Sequence, residues 1–465
     1  MQSGDDQVFS WDGIKGERVM YKLSKFIISQ SLNEGTQLLY HTFTTSLIEL
    51  EIDLYRKIFE EKDFTINNEI IQALLDMGFL VNEDVDENEE LEEYRRTVIE
   101  SNSGKIADIV IAPTMECNAH CSYCFENGVR HGCMTETVAL QLAKYLRDHW
   151  NGEKLGITWF GGEPLMAPNI IDAITNKLEE YGVSFHSKIT TNGSLLTPKI
   201  LEKAKNTWNV KKIQVTIDGV GDEYNRVKNY SPGEFDNPFE TVIQNVQNAL
   251  DMGISVRIRI NFDPQKCEAS MQTMSFIKKR FADYQNITIY FAPIDAESTQ
   301  VKCIATEFDG MEEHPFIKMI RFGREHGYYK GFPDVSEKNL AFDKYGLLKN
   351  LKLYPSPTNC YASCPSVYAI DAKGDIYKCH RMLGRGNKYT CGNINTGVIK
   401  NEVYDTFCNT KVSYEECNNC SVLPICQGGC IANAIQYKDE HACTPIKPII
   451  KDLVLLYKQD LEACL

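Results

Sequence analysis

Cys117, Cys121 and Cys124 fall in the run Met115-Glu-Cys-Asn-Ala-His-Cys-Ser-Tyr-Cys-Phe-Glu126. The spacing C-x3-C-x2-C puts three thiolates on one short loop. Thiolates hold the irons of Fe–S clusters, and three of them would leave the fourth iron of a [4Fe–4S] cluster open to a small molecule. An open position is what separates a catalytic metal site from a closed one. The same thiols would suit a zinc knuckle, and 17 cysteines in the chain leave room for a chance grouping.

Further polar segments follow in sequence. Trp159-Phe-Gly-Gly-Glu-Pro164 carries two glycines, which let backbone approach a ligand closely, and a carboxylate that accepts from an ammonium group. Thr190-Thr-Asn-Gly-Ser194, Val215-Thr-Ile-Asp-Gly219 and Asp222-Glu-Tyr-Asn-Arg226 are further polar strand ends. The C-terminal part is dense in cysteine: Cys364, nine residues, Gly374, four residues and Cys379; then Cys417-x2-Cys420-x5-Cys426-x3-Cys430 and, twelve residues on, Cys443. Cys360 adds an eighth thiol, and eight suffice for two fully ligated [4Fe–4S] clusters or for a pair of zinc sites.

These motifs together resemble the radical S-adenosylmethionine (SAM) enzymes with a SPASM extension. The resemblance implies three [4Fe–4S] clusters and SAM as cofactors. Cys117, Cys121 and Cys124 would hold the SAM-binding cluster; Cys360, Cys364, Cys379 and Cys430 the first auxiliary cluster; Cys417, Cys420, Cys426 and Cys443 the second. Gly161, Gly162, Glu163 and Pro164 would take the SAM amino group. Asn192 would lie at the third strand end, and Thr216 and Asp218 near the ribose. Arg226 would meet the carboxylate, as a guanidinium does well, and Tyr123 would lie against adenine. The implied chemistry is one-electron cleavage of SAM to a 5′-deoxyadenosyl radical, which takes a hydrogen atom from carbon. The cofactor carries that chemistry and the protein orients it.

The elements that must position these residues are legible as periodicity. From residue 105, strands and helices alternate: Ala107–Ala112, Leu155–Phe160, Ser184–Thr191, Lys212–Asp218, Ser255–Phe262 and Ile287–Phe291 read as strands, with helical segments between them. Alternation implies an α/β fold with a parallel sheet, and six units match the partial (β/α)6 barrel of the family. The expected domains are 1–100, an N-terminal module; 101–320, the barrel; 321–355, a bridge; and 356–465, the cysteine-rich domain. In the module, Val19–Ile28, Leu38–Thr42 and Ser46–Leu50 read as strands, and Asp53–Glu60 and Asn67–Met77 as helices. Three strands then helices resembles the winged-helix-like domains that recognise leader peptides; the alternative is an extension that merely packs on the barrel. The acidic run from Asn82 to Glu93 reads as a solvated linker or helix face.

A net charge of −15 argues against nucleic acid as a general partner. The first residues lack a basic start and an apolar run, and no stretch approaches the ~18–20 apolar residues of a membrane span. The expected location is cytoplasmic, where cysteines serve as metal ligands more often than disulfides. SPASM enzymes modify peptides or proteins. Sulfatase-maturating members carry an aspartate base after the cysteine that Cys379 matches; here His380-Arg381 stands there. His380 is a candidate base near neutral pH. The favoured function is cross-linking of a ribosomally made precursor peptide held by its leader, thioether first and carbon–carbon next. A flavodoxin- or ferredoxin-type protein would donate electrons. The alternatives are a maturase of another protein, of sulfatase or quinoprotein type, and a non-enzymatic Fe–S or zinc-binding regulator.

Overall fold

The computed structural model describes residues 20–65, 67–101, 105–129, 132–263, 266–294, 313–326, 353–355, 360–408, 414–436, 443–444 and 446–464. The first residues, Cys303 and most of the expected bridge lie outside the described residues.

The N-terminal strands are β1 (Tyr21–Leu23), β2 (Ile27–Asn33), β3 (Thr36–His41), β4 (Leu47–Glu51) and β5 (Leu80–Asn82). β2, β3 and β4 form an antiparallel meander, and β1 pairs with β5. The single strand expected over Val19–Ile28 is two, because Ser24 breaks it. The Ser24 hydroxyl donates to the Glu87 carboxylate and accepts from the Phe26 amide at 3.1 Å. Glu87 also accepts from Lys25 N at 3.1 Å. The acidic run is therefore not simply solvated. It opens the helix Glu87–Ser101, whose Glu87, Leu91, Arg95 and Ile99 are buried at helical spacing. The segment expected as the helix Asp53–Glu60 starts as an α-turn at Ile52–Tyr55 and becomes a π-turn over Arg56–Glu60.

Six parallel strands follow in chain order: β6 (Asp108–Ile111), β7 (Leu155–Trp159), β8 (Phe185–Thr191), β9 (Val210–Thr216), β10 (Ser255–Phe262) and β11 (Ile287–Pro293). Helices Glu136–His149, Pro168–Glu180, Pro198–Asn206, Pro238–Asp251 and Cys267–Arg280 connect them. Thr135, Thr197 and Asn237 cap three of these helices by side chain. The strands are two-faced. In β10, Val256, Ile258, Ile260 and Phe262 are buried, while Ser255, Arg257, Arg259 and Asn261 are half-buried. The apolar face joins the main core with the helices; the other face carries the hydrogen-bonding groups that a site needs.

The sheet does not stop at the expected domain boundary. β12 (Val367–Ile370) pairs parallel to β6, and β13 (Ile376–Tyr377) pairs antiparallel to β12. One eight-stranded sheet thus runs β11-β10-β9-β8-β7-β6-β12-β13. The N-terminal module docks on the C-terminal region: Tyr40 meets Tyr457 edge-on at 6.1 Å, Lys458 pairs with Glu49 at 3.0 Å, and Thr42 donates to Ser421 O at 2.6 Å. Among the described residues no helix is long and apolar enough to cross a membrane.

Candidate active site

The three-cysteine loop leaves the C-terminal end of β6, and Cys117, Cys121 and Cys124 are all half-buried on it. Its shape is set by backbone. Cys117 Sγ accepts from Ala119 N at 3.4 Å, His120 N donates to Lys228 O at 2.8 Å, and Asn127 Nδ2 donates to Cys121 O at 3.2 Å.

The Gly161-Gly162-Glu163 turn after β7 lies against the chain that enters this loop. Gly162 N donates to Thr114 O at 3.2 Å and Glu163 N to Glu116 O at 2.8 Å. A Cβ on Gly162 would stand 2.1 Å from Glu116 O, and one on Gly161, at φ +106°, 2.3 Å from Thr114 O. Only glycine permits this approach. Pro164 is buried and opens a short 3-10 turn.

Glu163 is fully buried and accepts three hydrogen bonds: Leu165 N at 3.1 Å, Thr191 Oγ1 at 2.8 Å and Asn192 N at 2.8 Å. Burial pushes its pKa from 4.5 to about 7, against the pull of the Asn192, Thr191 and Leu165 donors. Asn192 in turn donates to Asn118 Oδ1 at 2.8 Å, tying the third strand end to the cysteine loop.

Because the folded pKa of Glu163 is raised, the native state binds this proton more tightly than the unfolded chain does. The unfolded chain therefore ionises first as pH rises, and stability falls between pH 4.5 and about 7. At 1.36 kcal/mol per pKa unit, that fall is about 3 kcal/mol. The ligand-free wild type should lose about 3 kcal/mol of unfolding free energy relative to Glu163→Gln between pH 4.5 and pH 8. Denaturant titrations at the two pH values check this; parallel curves would show that Glu163 is not a proton-holding acid.

Asp218, just beyond β9, anchors a second buried group. Its Oδ2 accepts from the Tyr123 hydroxyl and from Lys228 Nζ at 3.0 Å, and its Oδ1 from Asn261 N at 2.7 Å. Lys228 also donates to the Tyr123 oxygen at 3.0 Å. Burial by itself would lower the Lys228 pKa, but Asp218 and Tyr123 hold it well above the ordinary lysine value. Tyr123 thus lies within this polar group, its hydroxyl fixed by Asp218 and Lys228. Thr216 is half-buried beside Arg259 at the strand end.

Arg226 is not brought to the site: its side chain is 72% exposed and lies 3.9 Å from Glu223. The cation the structure supplies is Lys228, which the sequence reading missed. The signal was present. In the helix Asp222–Lys228, Tyr224 and Lys228 stand four residues apart and share the buried face, while Arg226 points away. Asn118, Thr191 and Asn261 were likewise not foreseen.

The C-terminal thiols fall into two neighbourhoods. Burial and the nearby thiols of Cys360 and Cys430 push the Cys379 pKa up to about 12. Cys364 lies beside this group, its carbonyl accepting from Lys378 Nζ at 2.7 Å. Burial, then Cys426, Cys420 and Cys443, push the Cys417 pKa up to about 12. Cys360, Cys379 and Cys430 thus share one neighbourhood and Cys417, Cys420, Cys426 and Cys443 the other. Cys379 and Cys417, buried beside other thiols, resist ionisation unless a metal takes the charge, so this donor set fits thiolate-ligated iron. Among the described residues no three His, Cys, Asp or Glu side chains surround a single-ion position.

His380 stands between the two cysteine regions. Its ring meets Phe160 edge-on at 4.8 Å and Phe125, next to Cys124, at 6.2 Å. Its Nδ1 shares a hydrogen bond with the Tyr361 hydroxyl, which also accepts from His380 N at 2.9 Å. Burial, with Arg381, Arg259 and Lys188 nearby, lowers its pKa to about 4. His380, a candidate base near neutral pH, is thus disfavoured from holding a proton there.

Residues 111–275 match the Radical SAM superfamily model. The chain is 22% identical over 480 residues to the "Radical SAM cyclopropyl synthase TigE" of Paramaledivibacter caminithermalis, covering 93% of this chain and 95% of that protein. The fold is similar to the solved structure "Native anSMEcpe with bound AdoMet and Cp18Cys peptide", with a TM-score of 0.57 and 17% identity over 77% of this chain and 99% of that one. A second structure of the same protein, with bound AdoMet, gives a TM-score of 0.58 over the same shares.

Proposed function

On the premise that this chain is a radical SAM enzyme, we propose that it forms a carbon–carbon bond within a ribosomally made precursor peptide. The observation that carries this reading is the likeness, over nearly the whole of both chains, to a protein named as a cyclopropyl synthase. Closing a cyclopropane makes a carbon–carbon bond, so the order expected from sequence, thioether before carbon–carbon, is reversed. The similar fold solved with AdoMet and a peptide is compatible with a peptide substrate.

In this reading Cys117, Cys121 and Cys124 hold the SAM-binding cluster. Gly161, Gly162 and the Glu163 carboxylate receive the SAM amino group. Thr216 and Asp218 lie on the ribose side, and Tyr123 is fixed there by Asp218 and Lys228. Cluster and SAM, when bound, supply the radical that removes a hydrogen atom from carbon. Phe125 and Phe160 wall the site from water, and neutral His380 sits beside them as a hydrogen-bonding group rather than a neutral-pH base. Cys360, Cys364, Cys379 and Cys430 would hold one auxiliary cluster and Cys417, Cys420, Cys426 and Cys443 another, and such clusters would supply an acceptor for the second electron of bond formation. The N-terminal module holds the leader as an added strand. Among the described residues β4 pairs with β3 alone, which leaves its other edge open to one. The working location is the cytoplasm, with a flavodoxin- or ferredoxin-type donor.

The test is anaerobic incubation with reductant, SAM and the short peptides encoded beside the gene. The expected product lacks two hydrogens and keeps every iodoacetamide-reactive thiol. Loss of two hydrogens together with a reactive thiol indicates a thioether. An unchanged peptide mass with SAM cleaved sinks the peptide reading.

A further inference from the structure

The mechanism above leaves Lys378 unused. Its side chain is wholly buried. It donates to the carbonyls of Cys364 at 2.7 Å and Val367 at 2.8 Å. It also lies 4.4 Å from the Tyr368 ring centre and 5.4 Å from that of Tyr404. Lys228, the other fully buried lysine, is paired with Asp218. Lys378 has no carboxylate partner among the described residues. Burial lowers its pKa, and the thiols of Cys408, Cys391, Cys364 and Cys360 act against that fall.

A buried cation without a counter-charge is costly, and carbonyls and ring faces offset only part of the cost. The neighbouring hydroxyls of Tyr368 and Tyr404 and the thiols of Cys391 and Cys408 do not supply an anion, since burial raises the pKa of all four. What stands next to Lys378 is the group formed by Cys360, Cys364, Cys379 and Cys430. Cys379 follows it in sequence, and Cys364 accepts its hydrogen bond. Four thiolates on iron would carry the missing negative charge.

We propose that Lys378 is the built-in counter-cation of the cluster assigned to Cys360, Cys364, Cys379 and Cys430, and that it raises that cluster's reduction potential. The inference rests on the auxiliary-cluster assignment above. Reduction adds one electron and one negative charge to the cluster and moves no proton, so a fixed ammonium in a water-poor setting favours the reduced state. Lys378 touches no reacting atom and is a positioning residue.

The test uses the full chain, reconstituted anaerobically, with iron counted and each cluster followed by EPR during a potentiometric titration. In Lys378→Met one auxiliary signal should move to more negative potential by a tenfold change in the reduced-to-oxidised ratio or more, which is 59 mV for one electron. Lys378→Arg should restore it. The thermal midpoints should also cross: Lys378→Met more stable than wild type without metal, less stable when loaded. A purely structural lysine would give no such reversal. Should Lys378→Met not fold, Lys378→Gln replaces it. Equal potentials in Lys378→Gln and Lys378→Arg, with full iron content, overturn the proposal. A wild-type protein with only about four irons per chain overturns the cluster assignment instead, and shows it before any substitution is made.

Discussion

Cys117→Ala should leave no measurable reductive cleavage of SAM, a loss of at least about a thousandfold on the scale of groups that hold a reaction's essential cofactor. The reasoning is local. The loop offers three half-buried thiols, one for each of three irons. Alanine also removes the sulfur that accepts from Ala119 N, so the first turn of the loop loosens. The variant should bind about four fewer irons per chain while keeping the C-terminal set. Iron analysis and chromatography of 5′-deoxyadenosine read the two effects separately. Wild-type cleavage by Cys117→Ala would show that the radical is made elsewhere.

The second large effect belongs to Lys228. Lys228→Met strips the ammonium from Asp218 and from the Tyr123 hydroxyl. Breaking a buried pair by removing one partner leaves the other charge uncompensated and typically costs about 3–5 kcal/mol. Lys228→Met/Asp218→Asn leaves no unpaired charge, so it should recover a large part of that stability, and a double-mutant cycle isolates the coupling. SAM affinity should fall in both, because Tyr123 loses its anchor in each. If the single and double variants unfold at the same denaturant concentration, the pair contributes nothing as a pair. Arg226→Ala, at an exposed position, should change stability by less than about 0.5 kcal/mol.

The parallel strands were legible because apolar residues recur at strand spacing in each segment between turn signals. Ser255–Phe262 was placed to the residue, and the ends of the other five to within two. Strand pairing across domains was not legible. Nothing in Val367–Ile370 says that its neighbour is β6 rather than another C-terminal strand; that follows from long-range packing, which periodicity does not encode. Glu87 was misread for a related reason. A run of eight acids looks solvated, yet one of them satisfies Ser24 and Lys25 N from a buried position. At the site, the family resemblance pointed to Glu163, Asp218 and Arg226. Lys228 drew no notice, because the helix that turns it inward and Arg226 outward is only seven residues long.

The pairing of β6 with β12 also has a bearing on biosynthesis. Asp108 finds its partner Val367 only after 367 − 108 = 259 further residues have been made. At roughly 5–20 residues per second, that is a delay of about 10–50 s. For that interval the nascent chain carries an open strand edge at β6, with the three-cysteine loop hanging from its end. Unpaired edges invite wrong partners, and exposed thiols invite oxidation. Expression at lower temperature lengthens the delay, so assistance by chaperones and an anaerobic cell should matter more to the yield of loaded protein than the stability of the finished fold does.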